Sequence, residues 1–302
     1  MDDIKELAAD LRSRVFGKVK IREPLAKYTS YRVGGPADIY VAPSSQTSLK
    51  RTLEWAQGKN MPVFILGKGT NLLVSDTGFR GIVVRLTACC REWKQEASRV
   101  TIGSGWLLKI ALERLADVGL GGYQKIYGIP GTIGGALHMN AGAFGTEISD
   151  HLLWVEVMDL SGKVRRIPKE ELGFGYRRGI TNREWIILSG TFDLEKADPE
   201  KIWREMREIF DRRRKKQPLS RASAGSVFKR PPGHYAGALI QKAGLKGFRR
   251  GHVLVSRKHA NFIINAGGAS ASEIKELIEI VRSKVFEKSG VHLELENELV
   301  GW

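Results

Sequence analysis

Only two cysteines occur in the 302 residues, and they are neighbours, Cys89 and Cys90. Adjacent cysteines fit neither a disulfide framework nor a metal site, both of which need spaced ligands. No apolar run approaches the roughly 20 residues of a membrane span. The opening residues, MDDIKELAADLRSRV, lack the basic and apolar regions of a secretory signal. Ile4, Leu7, Leu11 and Val15 fall instead at helical spacing, and a cytoplasmic protein is expected. Acidic residues are scarce too, 33 Asp and Glu against 49 Lys and Arg, for a formal net charge of +16. The imbalance is concentrated late: from Glu200 onward there are 21 Lys and Arg against 11 Asp and Glu. Such a balance points to anionic partners, whether nucleic acid, a membrane surface or phosphorylated small molecules.

The length and the 42% hydrophobic content suit two or three domains with a sizeable core and no need of staples. Strand-like and helix-like segments alternate. ADIYVAP (37–43) reads as a strand, and the following SSQTSLKRTLEWAQGKN as a helix with Ser/Thr caps before it and Gly58 near its end. PVFIL and GIVVRL are short β-rich runs flanking GKGTNLLVSDTGFR. A helix is expected through Leu107, Ala111, Leu115 and Val118, and a hairpin turning at Ser161-Gly162. Near residue 200 the composition shifts. Asp198 can cap a helix with Pro199 at its first position, and Pro218 closes the segment. The cations from Arg212 to Lys216 then fall in the last turn, where they suit the helix dipole. Later, Ser270 and Glu273 form a capping-box pattern ahead of Ile274, Leu277, Ile278, Val281 and Val285. Gly290 ends that helix, and VHLELENELV alternates like a strand.

The stretch YGIPGTIGGALHMNAGAFG (127–145) holds six glycines and not one lysine or arginine. A second glycine loop is GKGTNLL (67–73). Neither is a G-x-G-x-x-G fingerprint, since Leu72 stands where the third glycine belongs, and neither is a Walker loop. What remains is backbone chemistry. Glycines let successive N–H groups converge on an anion, because no Cβ blocks the approach. Tight turns at strand ends would also use such glycines. Two loops, one bearing Asn71 and the other Asn140, favour a ligand.

These loops carry a resemblance. TSYRVGGPAD (29–38), LGKGTNLLVSDTGFRGIVV (66–84) and GIPGTIGGALHMNAGAFG (128–145) resemble the FAD-binding half of the UDP-N-acetylenolpyruvoylglucosamine reductase family. The likeness continues in order through FGYRRG (174–179), AGSVFKRPPG (224–233), LIQKAGLKG (239–247), VSRKHANFIIN (255–265) and LELENELVG (293–301). It implies an α+β protein whose FAD-binding fold is of the vanillyl-alcohol-oxidase type. Residues 1–85 and 86–199 would be its two FAD-binding subdomains, and 200–302 a substrate domain. The implied cofactor is FAD, with Arg32, Gly67, Gly69, Thr70, Asn71, Leu72, Gly128, Pro130, Gly131, Thr132, Gly134, Gly135, Asn140, Ala141 and Gly142 around it. Some relatives in the wider fold attach FAD covalently through a histidine after an R-x-G-G turn. Pro36 stands there in RVGGP, so non-covalent FAD is expected. The chain resembles the shorter subgroup, without a substrate-lid insertion. It is expected to be a monomer with no metal.

The implied reaction belongs to peptidoglycan precursor synthesis. Hydride from NADPH passes by way of the flavin to the β-carbon of an enolpyruvyl ether. Negative charge then develops on the α-carbon and its carboxylate, which calls for electrostatic stabilisation and a proton donor. By motif matching, Arg177 would bind the carboxylate, Ser226 would donate the proton, and Glu296 would help polarise the enolate. Lys229, Arg230, Lys258 and His259 would meet the substrate's UDP pyrophosphate and carboxylate. The family commonly has Tyr-Arg-x-Ser where this chain has Tyr176-Arg177-Arg178-Gly179, which leaves open which arginine points inward. Two other readings compete. One is a flavin oxidase of the same fold, with no need of Ser226 or Glu296. The other is a basic nucleic-acid-binding protein, for which no aromatic-basic or zinc module is present.

Overall fold

A computed structural model describes residues 2–182 and 184–302 and divides into two compact units. The first comprises Met1–Glu23, Asp38–Lys68 and Gly81–Asp211; the second comprises Pro24–Ala37, Gly69–Arg80 and Arg212–Trp302. Helices and strands mix in both, as an α+β chain requires.

The first unit has two cores. In one, helices α1 (Asp2–Arg14) and α2 (Gln46–Gly58) cover a four-stranded sheet ordered Gly17–Pro24, Pro36–Pro43, Phe79–Arg85, Val63–Leu66. Leu11, Leu49 and Leu53 meet Ile39, Val41, Ile82 and Val84, all essentially inaccessible to water. The outer pair, Val63–Leu66 with Phe79–Arg85, is parallel, so the chain must cross over between them, and that crossover carries GKGTN. Ser45 caps α2, accepting from Ser48 N.

The second core lies under a five-stranded antiparallel sheet ordered Val164–Pro168, Leu152–Met158, Ile186–Asp193, Arg99–Gly103, Trp93–Glu96. The expected hairpin is its first pair, and the Asp159 carboxylate accepts from Ser161 N and Lys163 N to hold the turn. Helix α3 (Leu108–Asp117) is bounded by Leu107 and Val118, so the helix is shorter than its apolar spacing suggests. Inside the glycine-rich stretch, Ile133–Met139 forms α4, capped by Thr132 and ended by Asn140 in the left-handed conformation. Helix α5 (Pro199–Lys216) begins as expected, with Asp198 accepting from Glu200 N.

In the second unit, α6 (Ala236–Lys242) and α7 (Ala271–Ser289) pack on the sheet Arg249–Arg250, Val253–Val255, Ile263–Asn265. The capping box of Ser270 and Glu273 is fully formed and Gly290 ends α7. The expected strand over VHLELENELV is mostly not one. Only Glu298–Val300 is extended, pairing in parallel with Leu72–Val74. The residues before it make a single bridge, Phe228 with Leu295. The reason is long-range: the Asn297 side chain bonds the carbonyls of Ala224 and Ser226, replacing a regular ladder with amide contacts.

Candidate active site

The start of the shorter glycine loop meets the longer one within the first unit. A Cβ on Gly67 would lie 2.8 Å from Thr132 Oγ1, so glycine is what lets the chain at residue 67 approach the cap of α4. Several amides of the longer loop are already engaged within the protein. Ile133 N donates to Trp106 O, Gly134 N to Ser104 O and Gly135 N to Thr132 Oγ1. Gly134 and Gly135 therefore shape the loop rather than present their N–H groups. The amides of Gly67, Gly131 and Thr132 meet no acceptor among the described residues. Asn140 is fully buried, and its Oδ1 is an acceptor with no partner there either. Its Nδ2 donates to Glu147 Oε2 at 2.6 Å and Gly175 O at 3.0 Å, which fixes the amide's orientation. Unmet backbone donors at the start of α4 and an unmet buried acceptor at its end are polar groups suited to FAD, whose phosphates and ring offer both kinds of partner.

Gly69 belongs to the second unit. Its φ is +66° and a Cβ there would lie 2.0 Å from Tyr28 O. The Asn71 side chain turns toward its own chain, donating to Glu296 O at 2.8 Å and accepting from Asn297 Nδ2 at 2.9 Å. Arg32 is exposed at φ +59°.

Arg177 is placed by a tight turn. Gly175 and Arg178 exchange both backbone hydrogen bonds, and Arg177 between them takes φ +52°. A non-glycine residue in that region costs about 1–2 kcal/mol, so the surroundings must hold it. Here Nη2 donates to Gly142 O at 2.8 Å. Arg177 is half-buried and Arg178 exposed, so Arg177 is the arginine fixed by structure.

The departure at Gly179 has a steric cause. A Cβ would stand 2.0 Å from Leu137 O and 2.7 Å from Asn140 N, at the end of α4. Gly179→Ser, which restores the residue common in the family, is expected to lower stability and flavin content together. Thermal melting and the flavin-to-protein ratio measure both. Unchanged values in the serine variant would mean that α4 gives way easily.

Ser226 and Glu296 are brought together in the second unit. Lys229 N donates to Glu294 O and Glu296 N to Val227 O, pinning segment 226–229 to 294–297. The Ser226 side chain is half-buried, and no hydrogen bond holds its hydroxyl among the described residues. Asn261 ties the same segment down, accepting from Phe228 N and donating to Phe228 O.

The four anion candidates differ in kind. Lys229 already pairs with Glu294 at 2.5 Å. Lys258 donates to Arg214 O. The exposed Arg230 lies over the Tyr235 ring at 4.0 Å. Burial holds His259 below the usual imidazole range, so it is neutral near pH 7. Its Nδ1 accepts from Asn261 N, which leaves the proton on Nε2. His259 thus offers a donor but no positive charge. Sequence reasoning missed Asn297, Asn261 and Tyr31, whose side chains organise this site.

Comparisons with known proteins agree with the two halves. An "FAD binding domain" family model matches residues 37–168, and a "UDP-N-acetylenolpyruvoylglucosamine reductase, C-terminal domain" model matches 217–300. The chain is 42% identical over 306 residues to the reductase of that name from Caldanaerobacter subterraneus, covering 100% of this chain and 98% of the relative. For the Bacillus subtilis reductase the identity is 37% over 300 residues, with 99% of each chain covered. The crystal structure of the Thermus caldophilus reductase superposes with a TM-score of 0.81 at 38% identity, over 94% of this chain and 100% of that one. With both halves matched and the likeness running end to end, the chain belongs to the UDP-N-acetylenolpyruvoylglucosamine reductase family.

Proposed function

We propose that this chain reduces the enolpyruvyl ether of UDP-N-acetylenolpyruvoylglucosamine with NADPH through non-covalent FAD, in the cytoplasm and as a monomer, with Arg177, Ser226 and Glu296 acting on the substrate. The carrying observation is the pinning of Ser226 beside Glu296 in a chain of this family. The flavin supplies hydride transfer from NADPH to the substrate β-carbon. Gly67, Gly131 and Thr132 would hold it through their amides, and Asn140 through Oδ1.

Arg177, anchored through Gly142 O, receives the substrate carboxylate on which charge develops. Ser226 gives its hydroxyl proton to the α-carbon. A serine is a poor acid in water, but the carbanion it faces is far more basic. Glu296 stabilises the enolate best when protonated, since a carboxylate would repel it. Among the basic residues, Arg230 is the proposed diphosphate ligand, as an exposed guanidinium lying over the Tyr235 ring, while the neutral His259 offers a donor without charge.

The test is NADPH oxidation with and without the enolpyruvyl UDP-sugar. Consumption should need the sugar and yield UDP-N-acetylmuramate. Sugar-independent consumption with accumulating H₂O₂ would identify an oxidase instead. Arg230→Ala should weaken sugar binding by on the order of 1–3 kcal/mol, the range of a charge-assisted hydrogen bond, with flavin reduction less affected. An unchanged KM would return Arg230 to the solvated surface.

A further inference from the structure

We infer that Asn297 is a positioning residue for the reduction, setting the places of Ser226 and Glu296 through a single buried amide. The inference rests on the roles proposed for those two residues. Asn297 is 4% exposed, follows Glu296 directly in the chain and bonds the backbone of Ser226. Its Nδ2 lies 3.1 Å from Ser226 O, 3.1 Å from Ala224 O and 2.9 Å from Asn71 Oδ1. Two hydrogens are thus shared among three acceptors. Its Oδ1 accepts from Tyr31 OH at 3.1 Å, and Tyr31 is wholly buried. With acceptors on one side and a hydroxyl donor on the other, the amide has one orientation.

Asn71 extends the arrangement. Its Oδ1 takes the Asn297 hydrogen while its Nδ2 donates to Glu296 O. Asn71 O also accepts from Glu298 N, so residues 296 and 298 are both tied to Asn71. Beside the backbone bonds at Val227 and Lys229, one side chain therefore holds the carbonyls of Ala224 and Ser226 and, through Asn71, the carbonyl of Glu296. No regular sheet does this work, because segments 226–229 and 294–297 share only one bridge. Tyr31 OH is held protonated by burial, which pushes its pKa far above the usual phenol range and keeps it a donor. Asn265 Nδ2 in turn bonds Tyr31 O, anchoring the far end.

A misplaced acid loses rate in the step that needs it, while ligand binding elsewhere survives. In Asn297→Ala, flavin bleaching by NADPH should stay near the wild-type rate. Reoxidation by UDP-N-acetylenolpyruvoylglucosamine should slow by about 10-fold to 100-fold. Calorimetric titration of the oxidised holoenzyme with that sugar should give a Kd within about twofold of wild type, because the amide bonds protein groups rather than the sugar. The double variant Ser226→Ala, Asn297→Ala should lose clearly less than the product of the two single losses, since the part of the Asn297 effect that runs through the Ser226 hydroxyl is already gone. Multiplying losses would show that Asn297 acts elsewhere and overturn the inference, as would wild-type reoxidation in the single variant. If Ser226→Ala itself reoxidises normally, the proposed proton donor is wrong, which is a separate failure. Should Asn297→Ala lose its flavin or fail to fold, Tyr31→Phe decides. Removing that hydroxyl leaves Asn297 Oδ1 unmet and should slow reoxidation several-fold in a folded, flavin-loaded enzyme. A wild-type rate in Tyr31→Phe would then reduce Asn297 to a structural residue.

Discussion

Ser226→Ala is expected to leave flavin bleaching by NADPH intact and to slow reoxidation by UDP-N-acetylenolpyruvoylglucosamine by ~10² or more, the usual contribution of a positioned general acid. The division follows from where protons are needed. Hydride leaving NADPH requires no hydroxyl from the protein, whereas hydride reaching the β-carbon leaves an α-carbon that must be protonated. Ser226 suits that task because its backbone is held from both sides while its hydroxyl has no hydrogen bond to break among the described residues. Ser226→Cys should recover part of the rate, since a thiol can still donate. Stopped-flow absorbance separates the halves, following bleaching first and colour return on adding the sugar. Wild-type reoxidation in the alanine variant would assign the proton to another group. Failed bleaching with flavin retained would make the serine a ligand of the nicotinamide.

Periodic patterns and caps were legible in the sequence, since they depend on near neighbours. The Ser270 and Glu273 box, the Asp198 cap and the Ser161-Gly162 hairpin all formed where spacing placed them. The strand expected over VHLELENELV shows the limit. Its alternation is real, but the chain follows the bonds of Asn297 to Ala224 and Ser226, more than 70 residues away in sequence. The glycine loops stood out in the sequence as close-approaching backbone. Their division of labour was not legible there, because the acceptors for Ile133 and Gly134 come from Trp106 and Ser104. Asn71 attracted notice as a polar residue in a glycine loop, yet its amide serves Glu296 and Asn297. An asparagine in a loop says that something is bonded; only the fold says what.

Gly69→Val is expected to abolish flavin binding, the largest effect of any single loop substitution considered. Two costs combine at this position. The left-handed φ of +66° disfavours any L side chain by about 1–2 kcal/mol, and more for a β-branched one. The Cβ would also fall 2.0 Å from Tyr28 O, a backbone atom that no rotamer change can move aside. Gly69 O accepts from Ser30 N, so a shift of Gly69 disturbs the segment leading to Tyr31 as well. The loop must then leave its place, and Gly67, next but one along the chain, loses its approach to Thr132. Gly58→Ala is the control. At the end of α2 its Cβ would meet nothing within 4 Å, and alanine should stabilise the helix by roughly 0.5–1 kcal/mol with flavin content unchanged. The flavin-to-protein absorbance ratio after purification, and titration of the apoprotein with FAD, measure both variants. A Gly69→Val protein that purifies yellow with wild-type FAD affinity would show that loop 67–71 does not hold the cofactor.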